Sequence, residues 1–141
     1  MGDYFIPVTV PANTPENAPV ETEVEVTGDI LTEIAYFFPV GPSCMVRFAV
    51  FYGIEQIYPA KGSPWVAGDF LYRSTPVNWR MPEKRLTLTI KAVSPNTQFQ
   101  HTFYVWLHTE WIEEARPLEP IIEFINNFKK WLGLEGERSG L

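Results

Sequence analysis

The segment Gln100–Trp111, QHTFYVWLHTEW, constrains the fold more than any other stretch, because its side chains alternate with a period of two along its length. One face is typical of a strand packed on a core: His101, Phe103, Val105 and Leu107. The opposite face carries Tyr104, Trp106 and His108, where a solvated strand usually carries small polar residues. A strand with large side chains on both faces lies between two packed layers or at a contact surface.

Six other stretches have the character of strands: Glu21–Thr27, Ile30–Phe38, Cys44–Tyr52, Ile54–Tyr58, Asp69–Ser74 and Arg85–Val93. Aromatic residues make up 15% of the chain, and its 13 prolines supply frequent breaks. We therefore predict an all-β protein, an antiparallel β-sandwich of jelly-roll or immunoglobulin-like type with roughly seven or eight strands. Two hairpins are expected, one joining Glu21–Thr27 to Ile30–Phe38 and one joining Arg85–Val93 to Gln100–Trp111.

The two ends of the chain differ from this central domain, which we place at residues 21–112. Residues 1–20 are rich in proline and predict an extended arm, in which at most Tyr4–Val10 forms a short edge strand. The apolar start Tyr4, Phe5 and Ile6 favours an arm that docks on a neighbouring subunit, and a flexible leader is the alternative.

Residues 113–134 predict a linker and a C-terminal amphipathic helix, and residues 135–141 a disordered tail. The helix has an apolar stripe: Ile121, Phe124, Ile125, Phe128, Trp131 and Leu132. A helix of about 13 residues is marginal alone in water, so the stripe must be covered. It can dock on its own sheet, on a neighbouring copy or partner, or at a membrane surface; with only Lys129 and Lys130 along it, the membrane is the weakest choice.

Charge and composition exclude several classes of function. The net charge of −6 and the lack of basic clusters argue against nucleic-acid binding. Cys44, alone in the chain, excludes an intramolecular disulfide and is expected to be buried. His101 and His108 face opposite sides of one strand and cannot share a metal ion.

The sequence contains no recognised catalytic motif, so we expect neither an enzyme nor a cofactor. Glu21, Glu23 and Glu25 are expected to form a solvated acidic face. Trp65 and Trp79 fall in predicted loops, where they can cover the core, anchor a protein interface or stack on sugar rings. The N-terminal residues MGDYFIPVTV lack the features of a secretory signal, and no apolar run is long enough to span a membrane.

The run VPANTPENAPVETEVEVTGDILTEIAYFFPVGPSCMVRFAVFYGIEQIYP, followed by WVAGDF and QHTFYVWLHTEW, resembles small all-β virion structural proteins of tailed phages and related viruses. The resemblance lies in strand order and loop style over about residues 4–111. It implies a capsid-decorating or auxiliary β-sandwich that is present in many copies on a shell and contacts its neighbours through terminal segments.

Together these features lead us to expect a non-enzymatic structural protein, located in a virion if it is viral and in the cytoplasm otherwise. Its expected partners are further copies of itself or a capsid or other shell protein. The expected contact residues are Tyr4, Phe5, Ile6, Tyr104, Trp106, His108 and the stripe of the C-terminal helix. The alternative is a carbohydrate-binding module that stacks sugars on Trp65, Trp79 or Trp106.

Overall fold

The computed structural model describes residues 2–112 and 124–131. The chain divides into two units between Trp111 and Ile112. The described part of the first unit contains nine strands: β1 (Gly2–Val10), β2 (Val20–Thr27), β3 (Ile30–Phe38), β4 (Arg47–Tyr52), β5 (Glu55–Tyr58), β6 (Val66–Ala67), β7 (Leu71–Arg80), β8 (Arg85–Val93) and β9 (His101–Glu110). In the second unit, residues 124–131 form a helix, α1. The prediction of an all-β protein with a C-terminal helix is confirmed.

The strands form two antiparallel sheets. Sheet A has the order β1-β9-β3-β7, and sheet B has the order β2-β8-β4-β5, with β6 paired to β4. If the two-residue β6 is set aside, the pairing is nested along the chain. The first strand pairs with the last (β1 with β9), the second with the last but one (β2 with β8), and likewise β3 with β7 and β4 with β5.

One apolar core lies between the inner faces of the two sheets. Phe48 of β4, in sheet B, is fully buried against two rings of sheet A. Its ring centroid lies 5.9 Å from that of Phe38 and 5.0 Å from that of Phe103. Alternate residues of β8, such as Leu88 and Ile90, are buried in the same core. The two sheets therefore pack face to face, as in a β-sandwich.

The connection between β2 and β3 crosses from one sheet to the other. Its backbone groups bond to other elements: Gly28 N donates to Lys84 O and Asp29 N donates to Glu110 O, each at 2.9 Å. Gly28 has a φ of +150°, and a Cβ there would lie 2.9 Å from the Cβ of Thr109. The position therefore needs glycine, because a side chain would collide with β9.

The two predicted hairpins are therefore wrong, since β2 and β8 lie in sheet B whereas β3 and β9 lie in sheet A. Alternation along a strand fixes which side chains face the core, but it does not fix the partner strand.

The short edge strand expected at Tyr4–Val10 is present and extends from Gly2 to Val10, pairing with β9 from Gly2↔Thr109 to Val10↔His101. These residues therefore belong to sheet A and not to an arm. Val8 and Val10 are fully buried. The prolines are compatible with a strand because β1 is at the edge of sheet A. The segment that follows is held by the β8–β9 loop: Thr14 N donates to Ser94 Oγ at 3.1 Å, and Ser94 N donates to Thr14 O at 3.0 Å.

Cys44 is exposed, contrary to the expectation that its thiol is buried. Ser43 and Cys44 have φ angles of 49° and 63°, so they form a turn with left-handed backbone before β4 begins at Arg47. Arg47, the one charged residue in the apolar run that begins at Cys44, forms an ion pair with Glu16.

Candidate interaction surface

The outer face of sheet A brings together aromatic residues from its four strands. Residues directly opposite each other in a sheet point to the same side, so the register decides which side chains meet. Two successive rows cross the sheet: Phe5, Trp106, Ala35 and Ser74, and then Pro7, Tyr104, Phe37 and Tyr72. We call the set formed by Phe5, Phe37, Tyr72, Tyr104 and Trp106 the aromatic face.

The rings of the aromatic face form a continuous layer. Phe5 lies between two residues of β9, with ring centroids 5.1 Å from Trp106 and 5.6 Å from Tyr104. Tyr72 contacts Trp106 at 6.2 Å, and Phe37 contacts Tyr104 at 6.4 Å. The outermost rings remain accessible, because Phe5 is 54% exposed and Tyr72 is 61% exposed.

A group of ionisable residues borders the aromatic face at one end. His108 follows Trp106 on the same side of β9, and its register partners are Asp3 on β1 and Glu33 on β3. The His108 ring bonds through Nδ1 to Asp3, and its Nε2 lies 3.3 Å from Oε2 of Glu110. The hydrogen bond to Asp3 is the largest influence that raises the pKa of His108, burial opposes it, and Glu110 adds a smaller increase.

A depression of about 470 Å³ lies where the aromatic and ionisable groups meet. Its lining includes Trp106, Tyr72, Asp3, Glu33 and His108. Ring faces there can stack on an apolar or planar group, and the carboxylates can accept hydrogen bonds or pair with a cation. In the part of the chain that the structure describes, no three His, Cys, Asp or Glu side chains are grouped to hold a metal ion.

Two of the predicted contact residues in β1 do not belong to this surface. Ile6 is buried in the core, and Tyr4 packs against the core from the same side. The hydroxyl of Tyr4 accepts a hydrogen bond from Thr27 N at 3.0 Å, so it links β1 to the end of β2. Four other predicted residues do lie together on the outer side of sheet A: Phe5, Tyr104, Trp106 and His108.

The predicted stripe of the C-terminal helix is described in part. Exposed apolar side chains on α1 are those of Phe124, Ile125, Phe128 and Trp131. The three rings stack in sequence, with centroid distances of 6.2 Å between Phe124 and Phe128 and 6.0 Å between Phe128 and Trp131. Ile121 and Leu132 lie outside the described residues.

The two tryptophans expected in loops lie away from the aromatic face. Trp79 is in β7, where it packs against the core with its ring 5.6 Å from that of Tyr52, so its loop assignment is wrong. The prolines around it suggested a loop, yet β7 is an edge strand and tolerates Pro76. Trp65 precedes β6 and meets the ring of Phe51 edge-on at 5.8 Å.

Sequence reasoning missed Phe37 and Tyr72 as members of the surface. Both occur in stretches predicted as strands, so their alternation was visible. Their position beside Tyr104 and Trp106 depends on the order β9-β3-β7, which no local pattern contains.

No described helix has the length and apolarity needed to cross a membrane. No family model matches this chain, and no curated protein matches it. Solved structures match it distantly. One described as the crystal structure of FLHE has 14% identity and a TM-score of 0.38, over 75% of this chain and 94% of that chain.

A chain of infectious bursal disease virus, Gt strain, has 10% identity and a TM-score of 0.37, over 76% of this chain and 30% of that chain. An acetyl xylan esterase, Est2A, from the rumen bacterium Butyrivibrio proteoclasticus has 15% identity and a TM-score of 0.36, over 72% of this chain and 28% of that chain.

Proposed function

We propose that this protein is a non-enzymatic structural subunit of a larger assembly, such as a virion, and that its aromatic face binds a neighbouring copy. The observation that carries the proposal is the layer of five aromatic side chains on the outer side of sheet A. An outward sheet face that meets only water usually carries Thr, Lys or Ser.

The arrangement of this face supports a protein interface. Interfaces concentrate aromatic residues at their centre and place charged residues at the rim. Here Trp106 and Tyr104 are central, and Asp3 and Glu110 lie toward one end. A neighbour that covers the exposed parts of Phe5 and Tyr72 would bury roughly 100 Å² of each ring. This burial would favour association by about 2.5 kcal/mol per ring.

The strand order supports a jelly-roll topology, which is the finer assignment that we propose for the fold. With β6 set aside, eight strands pair in the nested order described above, and they form two four-stranded sheets. Eight strands in two packed sheets characterise jelly rolls, which recur in viral capsid and lectin domains. The fold is thus compatible with a virion role, but the proposed function depends on the aromatic face.

The test is the mass of the full chain in solution, measured by size exclusion with light scattering. We expect the protein to associate as its concentration rises and the double variant Phe5→Ser/Tyr72→Ser to remain monomeric. Phe70→Ser is the matched control, because Phe70 is 73% exposed but is not a member of the aromatic face. A wild-type chain that stays monomeric up to roughly 1 mM would contradict the proposal, because association would then contribute less than about 4 kcal/mol.

The depression beside Trp106 favours one alternative, a carbohydrate-binding module. Trp106 and Tyr72 supply ring faces, and Asp3 and Glu33 supply acceptors for sugar hydroxyls. Tryptophan fluorescence separates the two functions. If soluble oligosaccharides change the emission of the wild type but not of Trp106→Phe, the protein is a sugar binder.

A further inference from the structure

Another depression, of about 290 Å³, lies on the outer side of sheet B. Its lining residues are Glu16, Arg47, Pro64, Trp65 and Val93. Phe48 of β4 points into the core, so its neighbour Arg47 points outward, and Val93 of β8 lies directly opposite Arg47. The depression is therefore on the sheet that does not carry the aromatic face.

The indole ring of Trp65 is held in position by its neighbours. It meets the ring of Phe51 edge-on at 5.8 Å, and the ammonium group of Lys91 lies 4.6 Å from the centroid of the Phe51 ring. The loop that precedes Trp65 is fixed from within, because Nε2 of Gln56 lies 2.9 to 3.3 Å from three carbonyl oxygens of residues 59–63. A ring that is already immobilised can stack on a ligand with little further loss of entropy.

Arg47 adds a guanidinium group to the depression, and this group already binds a carboxylate. Its Nη2 forms an ion pair with Oε1 of Glu16. The side chain of Glu16 is 65% exposed and that of Arg47 is 34% exposed, so water reaches the pair. Ion pairs in such positions contribute little net stability. A ligand carboxylate can therefore replace the side chain of Glu16, which then returns to water at small cost.

The lining groups suit a ring that carries both a carboxylate and hydroxyl groups. A planar guanidinium binds a carboxylate through two parallel hydrogen bonds, and the face of Trp65 suits the C–H face of a sugar ring. The displaced carboxylate of Glu16 can accept hydrogen bonds from hydroxyl groups, whereas an aromatic acid would offer it no donor. The volume is at the small end of ligand pockets, so it suits a single sugar unit.

We propose that this depression binds a uronic acid, a sugar whose ring carries a carboxylate. Arg47 binds the carboxylate in place of Glu16, the sugar ring lies against Trp65, and Glu16 accepts hydrogen bonds from the hydroxyl groups. The site goes beyond the proposed function, because the aromatic face is on the other sheet and neither surface requires the other.

The test is an NMR titration of the isotope-labelled full chain with sodium glucuronate at constant pH and ionic strength. The indole N–H signal of Trp65 is identified as the one that is missing from the variant Trp65→Phe. We expect this signal to move with a dissociation constant on the order of 1 mM, which is typical of a ligand of this size. Glucose, which lacks the carboxylate, should bind at least about tenfold more weakly.

Two variants should change the affinity in opposite directions. Arg47→Gln should weaken the binding of glucuronate to the level of glucose, because the group that binds the carboxylate is removed. Glu16→Gln should strengthen it roughly threefold, because Arg47 then has no competing carboxylate. A gain in affinity cannot result from a damaged fold, so Glu16→Gln keeps the test decisive even if Arg47→Gln is unstable.

The matched control is Arg85→Gln. Arg85 also lies on the outer side of sheet B, and its Nε lies 3.5 Å from Oε1 of Glu25, but it does not line the depression. This variant should bind glucuronate as the wild type does.

Three results would overturn the proposal. Glucose that binds as tightly as glucuronate would show that Arg47 does not recognise a carboxylate. Benzoate that binds more tightly than glucuronate would show that the site takes a planar aromatic acid and not a sugar. A Trp65 signal that stays unmoved up to roughly 50 mM glucuronate would show that the site does not exist. None of these results bears on association through the aromatic face, which is tested separately by the mass of the chain.

Discussion

His108 is the residue whose charge links the aromatic face to pH. Groups from three strands surround it: Asp3 on β1, Glu110 on β9 and, across the register, Glu33 on β3. The hydrogen bond with Asp3, and to a lesser degree Glu110, favours the imidazolium form and raises the pKa of His108 above its ordinary value of 6.5. Protonation therefore strengthens the connection between the edge strand β1 and the centre of sheet A.

The sign of the pH dependence follows from this shift. A group whose pKa is higher in the folded state stabilises the fold fully below its unfolded pKa, and this contribution is lost as the pH rises through the folded pKa. We predict that His108→Gln lowers the free energy of unfolding most below pH 6.5 and that the deficit shrinks at alkaline pH. Urea unfolding of both proteins at several pH values measures this difference.

The control is the variant Asp3→Asn, which removes the hydrogen bond that mainly raises the pKa of His108 but keeps the imidazole ring. An NMR titration of the imidazole protons should then give a pKa closer to the ordinary value than in the wild type. If His108 of the wild type titrates at or below 6.5, the bond with Asp3 is not formed in solution.

At the scale of elements, the strand β1 is longer than the edge strand expected at Tyr4–Val10 and pairs with β9 along its whole length. Its residues alternate between the core and solvent, so neighbouring positions have opposite environments. We predict that Val8→Asp lowers the free energy of unfolding by at least about 3 kcal/mol, because it buries an unpaired charge. Thr9→Asp, one residue further on and exposed, should cost less than about 1 kcal/mol.

Urea unfolding followed by circular dichroism compares the two variants under identical conditions. An unfolded Val8→Asp variant beside a folded Thr9→Asp variant would also fit the prediction. Equal small effects would mean that β1 does not pair with β9, as expected for the arm that the prolines suggested.

The sequence predicted the strands well and their pairing poorly. Arg85–Val93 and Ile30–Phe38 have the predicted bounds, because alternation and flanking turns are local signals. The hairpin predicted between β2 and β3 is wrong because Gly28 and Asp29 bond to distant residues, Lys84 and Glu110. Three of the five residues of the aromatic face were predicted. Phe37 and Tyr72 were missed because their position beside Tyr104 and Trp106 depends on the strand order β9-β3-β7, which no local period specifies.

At the scale of the whole molecule, the two-sheet unit contains its own core. The described members of that core extend from Ile6 to Leu107. A unit with a complete core folds independently. We predict that a chain ending at residue 112 keeps its β-sheet circular dichroism and loses less than about 1 kcal/mol of unfolding free energy, as measured with urea.

The matched deletion is that of residues 1–10, which removes β1 and exposes β9. This chain should lose cooperative unfolding, because Val8 and Val10 leave the core. If truncation after residue 112 also abolished cooperative unfolding, residues 113–141 would be part of the folding unit.

The nested pairing of the strands also determines when this protein can fold. The partner of β1 is β9, so Asp3 must meet His108, 105 positions later in the chain. During synthesis the first strand leaves the ribosome long before the last one exists, and sheet A stays open until then. Contacts of such long range make folding slow, on the order of milliseconds to seconds for sheet proteins of this kind. During this interval the aromatic side chains are accessible to other nascent chains. A cell that makes many copies must therefore keep the incomplete chains apart until each one has been synthesised in full.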